Sequence, residues 1–120
     1  MHGSEIAALI IEPLPANYGL LLQRDSFLKL TAELCKTNGS LLIFDEVITG
    51  FGRLGAPFAS TLLSVVPDIM TLAKGLTNGA APAGAVAVRD AIHATFMDNA
   101  PEGSIELFHG YTYSGHPLAM

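Results

Sequence analysis

The sequence predicts an α/β fold: a mostly parallel sheet with helical crossovers and one antiparallel strand. Two apolar runs, Leu41-Leu42-Ile43-Phe44-Asp45-Glu46-Val47 and Asp68-Ile69-Met70-Thr71-Leu72-Ala73-Lys74-Gly75, lack polar alternation, as strands buried on both faces do. An amphipathic stretch separates the first of them from an earlier apolar run, Ile6–Ile11, which makes a strand-helix-strand unit with parallel strands and a right-handed crossover. The joint 75–83, by contrast, is shorter than the ~12 residues a parallel crossover needs. The strand after it is therefore expected to reverse direction.

Taken in order, Ile6–Ile11 is a first strand, closed by Glu12 and by Pro13, which cannot donate to the next ladder bond. Pro13 to Gly19 reads as a loop. From Asp25 to about Asn38, Phe27, Leu28, Leu30, Ala32, Leu34 and Cys35 fall mostly on one helical face, with Lys29, Glu33 and Lys36 elsewhere. Asp25 is the expected cap of that helix and Asn38-Gly39 its close. Strand Leu41 to Phe44 follows directly. Gly50, Gly52 and Gly55 make Thr49 to Gly55 a turn-rich segment able to approach a ligand closely. A short helix around Pro57 to Leu63 returns the chain to strand Ile69–Leu72. Gly84 to Val88 is the antiparallel strand, and Arg89 to Met97 a helix with Ile92 and Phe96 four apart.

Each of the two central runs delivers an ionisable group at its C-terminal end, where open α/β sheets place their chemistry. An aspartate and a lysine on one rim are what pyridoxal phosphate (PLP) requires. The lysine amine bonds the aldehyde, and the carboxylate keeps the pyridine nitrogen protonated so that the ring accepts electrons. A lysine in that role must shed its proton first, which burial favours. Taken singly, Asp45-Glu46 can simply close a strand and Lys74-Gly75 can be a solvated turn.

Composition narrows the alternatives. A chain of 120 residues, 50% hydrophobic and 14% charged, can build a globular core. Its net charge of −5 and six dispersed basic residues offer no stripe for nucleic acid. The single cysteine, Cys35, forms no internal disulfide, fits a reducing compartment and reads as a core or helix-face residue. Met1 to Glu5 lacks a basic leader, and Ile6–Ile11 is far short of the ~20 apolar residues of a membrane span. A cytoplasmic location, no membrane and no bound metal are expected, since His109 and His116 share no ligand spacing with another His, Cys or Asp.

Phe44-Asp45-Glu46-Val47-Ile48-Thr49-Gly50-Phe51-Gly52-Arg53-Leu54-Gly55 and Leu72-Ala73-Lys74-Gly75-Leu76-Thr77-Asn78-Gly79 resemble, in order and spacing, the signature segments of class-III, fold-type I PLP-dependent aminotransferases. That resemblance implies the large, PLP-binding domain of the family, whose parallel sheet has one antiparallel strand. It implies Lys74 as the Schiff-base lysine, Asp45 as the partner of the pyridine nitrogen and Val47 as the aliphatic residue against the ring. It further implies Thr112 as a phosphate donor supplied across a homodimer interface and Glu12 as a glutamate near the substrate entrance. On their own, Val47 is ordinary core, Thr112 a loop residue and Glu12 a charge that ends a strand.

The segment Ile105 to Pro117 resembles the ω-amino acid, or β-alanine–pyruvate, aminotransferase group. The implied reaction moves an amino group from a β-alanine-like ω-amino acid or an amine to pyruvate. Other PLP chemistry of class III (another transaminase, an aminomutase, a decarboxylase) and a truncated chain without catalysis stay open. Residues 1–120 are expected to be a partial large domain, with the N-terminal and C-terminal parts of the family fold absent. The family's glycine and serine phosphate loop and ring-stacking aromatic precede the matched text, and its carboxylate-gripping arginine follows it. Weak cofactor binding by the isolated chain is the corresponding expectation.

Overall fold

The structure is a computed structural model that describes residues 3–24 and 26–120. Four strands, β1 (Ala8–Ile11), β2 (Leu41–Asp45), β3 (Ile69–Leu72) and β4 (Ala85–Val88), form one sheet in the order β1-β2-β3-β4. β1 and β2 are parallel, as are β2 and β3, and β4 runs antiparallel to β3. Helix α1 (Phe27–Asn38) connects β1 to β2, α2 (Ala59–Leu63) lies between β2 and β3, and α3 (Asp90–Asp98) follows β4. The mixed sheet expected from the length of the 75–83 joint is the one observed.

Local chemistry accounts for most of the element ends. Gly39 adopts φ 72°, and the α1 carbonyls of Lys36 and Cys35 are taken by the N–H groups of Gly39 and Ser40. A left-handed residue there costs glycine nothing, so the Asn38-Gly39 close holds. At the other end, Ser26 precedes the helix without a side-chain cap, and the expected cap, Asp25, lies outside the described residues. β1 begins at Ala8 rather than Ile6, because Gly3–Glu5 form a 3-10 turn that the Ile6 N–H closes onto the Gly3 carbonyl. α2 starts two residues inside the expected Pro57–Leu63, and α3 is offset by one from Arg89–Met97.

Pairing register assigns the faces. Leu9 and Ile11 of β1, Leu42 and Phe44 of β2 and Met70 of β3 share one face. Leu28 and Cys35 of α1 and Val65, which follows α2, close over that face, and Phe44 is completely buried. Leu28, Ala32 and Cys35 recur at helical spacing and make the inward stripe of α1. Phe27, Leu30 and Leu34 are exposed, so the apolar side of the helix is wider than the sheet it covers.

The opposite face carries Ile10, Leu41, Ile43, Ile69, Val86 and Val88, and among the described residues the helix-covered cluster lies on the other side. Ile10 and Val86 are 62% and 63% exposed. The expectation of strands buried on both faces is therefore corrected: in β2 only Leu42 and Phe44 are fully buried, every residue of β3 is half-buried, and β1 has no fully buried residue. Unbroken apolar text reports a strand suited to two covered faces, while actual burial depends on what packs against each.

The base of the sheet is tied by Asp68. Its Oδ2 accepts the Leu42 N–H at 2.8 Å, and its Oδ1 lies 3.3 Å from Arg89 Nη1. The Arg89 N–H in turn donates to the Asp68 carbonyl at 3.1 Å. One residue thus ties the start of β2 to the end of β4, at the opposite end of the sheet from the candidate site. No described helix is long and apolar enough to cross a membrane.

Candidate active site

Three of the residues singled out in the sequence come to one rim. Glu12 directly follows β1, Asp45 is the last residue of β2, and Lys74 stands just beyond β3, all at the C-terminal ends of adjacent parallel strands. Asp45 shares a face with Ile43, the open face, since it pairs with Thr71 rather than with the buried Phe44 layer. Its Oδ1 accepts the Val47 N–H at 3.0 Å, which fixes the carboxylate and leaves Oδ2 without a hydrogen bond among the described residues. Glu12 accepts the Ala16 N–H at 3.4 Å across the loop that Pro13 opens.

Lys74 begins a 3-10 turn, Lys74–Leu76, with φ 46°. A left-handed backbone is uncommon for a side chain of this kind. The amine makes no hydrogen bond or ion pair among the described residues, and the side chain is exposed. Val47 is half-buried in the turn that follows β2. Its link to Asp45 is the hydrogen bond from its N–H.

The residue that sequence reasoning passed over is Glu46. It is 0% exposed, and its carboxylate accepts three hydrogen bonds: Oε2 from Thr49 Oγ1 at 2.8 Å and from the Ala59 N–H at 2.7 Å, Oε1 from the Ser60 N–H at 2.8 Å. Ala59 and Ser60 open α2, whose preceding residue, Phe58, has no capping side chain. Glu46 therefore does from a distance what a local cap does, satisfying N–H groups that the helix leaves without partners. Strand alternation contained the signal, because it puts Glu46 with Phe44 on the buried side and Asp45 with Ile43 on the open side.

Thr112 belongs to no strand or helix. It lies in the exposed segment 101–118 and lines a concavity of about 410 Å³ with Pro82, Ala83, Gly84, Tyr111 and Tyr113. His109 and His116 each accept a backbone N–H at Nδ1, from Tyr111 at 2.9 Å and Leu118 at 3.2 Å, so both act as local turn acceptors.

A carboxylate with one free oxygen and an unpaired amine, on neighbouring strand ends of an α/β sheet, make a donor set suited to a protonated pyridine and an aldehyde. The chain belongs to the class-III aminotransferase family, whose pattern it matches over residues 1–120. It is 53% identical over 116 residues to an omega-aminotransferase of Caulobacter vibrioides and 49% identical over 117 residues to an omega-amino acid–pyruvate aminotransferase of Pseudomonas putida. Each alignment takes in 97% of this chain and 26% of the relative, so the chain spans about a quarter of the length of the curated relatives it matches. The crystal structure of an amine transaminase from an uncultivated Pseudomonas species, described as PLP-bound, superposes with a TM-score of 0.88 at 40% identity, covering 98% of this chain and 26% of that one.

Proposed function

We propose that these residues form part of the cofactor-binding domain of a PLP-dependent aminotransferase that moves an amino group from a β-alanine-like ω-amino acid, or an amine, to pyruvate. The observation that carries the reading is the meeting of Asp45 and Lys74 at adjacent strand ends in a member of the class-III family. The choice of ω-amino acid and pyruvate rests on the likeness to the Pseudomonas putida enzyme, which that enzyme's name describes. A homodimer and a cytoplasmic location belong to the same proposal.

PLP, when bound, supplies an aldehyde for an amine and a ring that accepts electrons from the carbon being deprotonated. Lys74 Nζ would hold it covalently and, once displaced by substrate, take and return a proton. Asp45 would hold a proton at the pyridine nitrogen through Oδ2, with Oδ1 kept in place by the Val47 N–H. Val47 would pack against the ring, Glu12 would stand at the substrate entrance, and Thr112 would donate to phosphate from a second chain.

The test is covalent capture. Borohydride reduction of the protein with PLP, followed by peptide mass mapping, is expected to find the cofactor on Lys74. Lys74→Ala removes that adduct, and Asp45→Asn keeps part of the binding while slowing proton transfer. PLP still fixed at the same place in the Lys74 variant would overturn the assignment. Alanine formation from β-alanine and pyruvate then tests the substrates on the full-length protein.

A further inference from the structure

Two non-glycine residues with left-handed backbones, Phe51 (φ 58°) and Lys74 (φ 46°), flank a single close approach. A Cβ placed on Gly75 would stand 2.8 Å from the Phe51 Cβ and 3.4 Å from its ring, so Phe51 sits directly over the bare Gly75 backbone. Strained backbone of this kind persists where the surroundings dictate it.

The surroundings of Phe51 are fixed on both sides. Its ring meets Phe58 edge to face at 5.3 Å, the Gly50 N–H donates to the Glu46 carbonyl at 2.9 Å, and the Gly52 N–H to the Pro57 carbonyl at 3.2 Å. The buried Glu46 carboxylate holds Thr49, Ala59 and Ser60, which bracket the loop. The turn beneath is closed by Leu76 N–H to Ala73 O at 3.0 Å and Asn78 N–H to Gly75 O at 3.2 Å, all internal to itself. The Phe51–Gly75 contact therefore joins the loop that follows Asp45 to the turn that carries Lys74.

We propose that Phe51 is a positioning residue for Lys74, pressing on Gly75 so that the lysine turn keeps its place relative to the end of β2. This rests on the reading of Lys74 as the cofactor-bonding lysine, but the clamp can be measured without cofactor. In the chain itself, Phe51→Gly is expected to speed amide exchange at Leu76 and Asn78 about tenfold, because the turn loses the contact that restrains its opening. Leu42 and Arg89, at the far end of the sheet, keep their protection. Phe51→Leu retains the Cβ on Gly75 and is expected to restore most of it; if the glycine variant folds poorly, Gly75→Ala, whose Cβ would stand 2.8 Å from that of Phe51, is expected to speed exchange at the same two amides.

With PLP, capture on Lys74 is expected to slow roughly 10–100-fold in Phe51→Gly, the scale of a small misplacement of a reacting group. Phe51→Leu is expected to recover most of that rate. Leu28→Ala, a core variant away from the lysine turn, leaves that rate in place. Unchanged exchange at Leu76 and Asn78 in Phe51→Gly, or in Gly75→Ala where the glycine variant does not fold, would overturn the clamp. Failure of the wild type to fix PLP on Lys74 would instead remove the cofactor reading, while the exchange data still report on the contact.

Discussion

Replacing Glu46 by alanine tests whether a buried carboxylate, rather than a local cap, holds the start of α2. The change strips acceptors from the Ala59 and Ser60 N–H groups and from the Thr49 hydroxyl. A buried donor left without a partner costs about 1–3 kcal/mol. Ala59 is fully buried and counts near the top of that range, Ser60 is half-buried and reachable by water, and the Thr49 hydroxyl can turn toward another acceptor. With the small cavity left by the side chain, the expected loss is about 3–5 kcal/mol. A chain of this length is stable by about 6–18 kcal/mol on the usual per-residue scale, so the variant still folds or sits at the margin. Glu46→Gln keeps the volume and one carbonyl oxygen, and is expected to lose about 1–2 kcal/mol. Urea unfolding followed by far-UV circular dichroism suits a chain without tryptophan. At about 1–3 kcal/mol per molar, the alanine variant should lower the midpoint by more than about 1 M. A loss below about 1 kcal/mol for Glu46→Ala would refute the reasoning, since no set of unpaired buried donors is that cheap.

Three further outcomes follow from the same coordinates. Burial, with a smaller contribution from the Asp68 carboxylate, raises the Cys35 thiol above its ordinary value of 9.0. Because the folded state holds that proton more tightly, this stability is intact below about pH 9 and is lost as pH rises through the folded value; Cys35→Ser should remove that alkaline loss in pH-dependent unfolding. The native chain should bind a hydrophobic dye at its open sheet face, and Val86→Lys should reduce the signal without lowering the unfolding midpoint. These 120 residues alone should transfer an amino group from an ω-amino acid to pyruvate far more slowly than the full-length Pseudomonas putida relative, and comparable turnover would show that the rim alone suffices.

Much of the architecture was legible in the text. The Gly39 close, the parallel pairs and the reversal at β4 each follow from a local constraint: a left-handed glycine, a helix of crossover length, a joint too short for one. Glu12, Asp45 and Lys74 were legible as strand-end groups because the apolar runs stop there. Burial was less so. Ile10 and Val86 are indistinguishable in sequence from residues under a helix, and only packing reveals that they stay exposed, on the face away from α1. Glu46 was hidden by its neighbour, because two adjacent acids suggest a polar strand end until register sends them to opposite faces. Phe51 over Gly75 is a contact between two loops, and no periodicity encodes it.

The reversal at β4 has a consequence for how such a protein can diversify. A parallel fourth strand would carry the chain back across the sheet to the Asp68 end before it could rejoin. Running antiparallel, β4 starts where β3 finishes, and 73–84 remains on the same end of the sheet as Glu12 and Asp45. Insertions or deletions in this hairpin would therefore reshape the mouth of the site while leaving strand register and the helix-covered core untouched. A change of the same size at Gly39 would do the opposite, straining the βα packing far from any substrate.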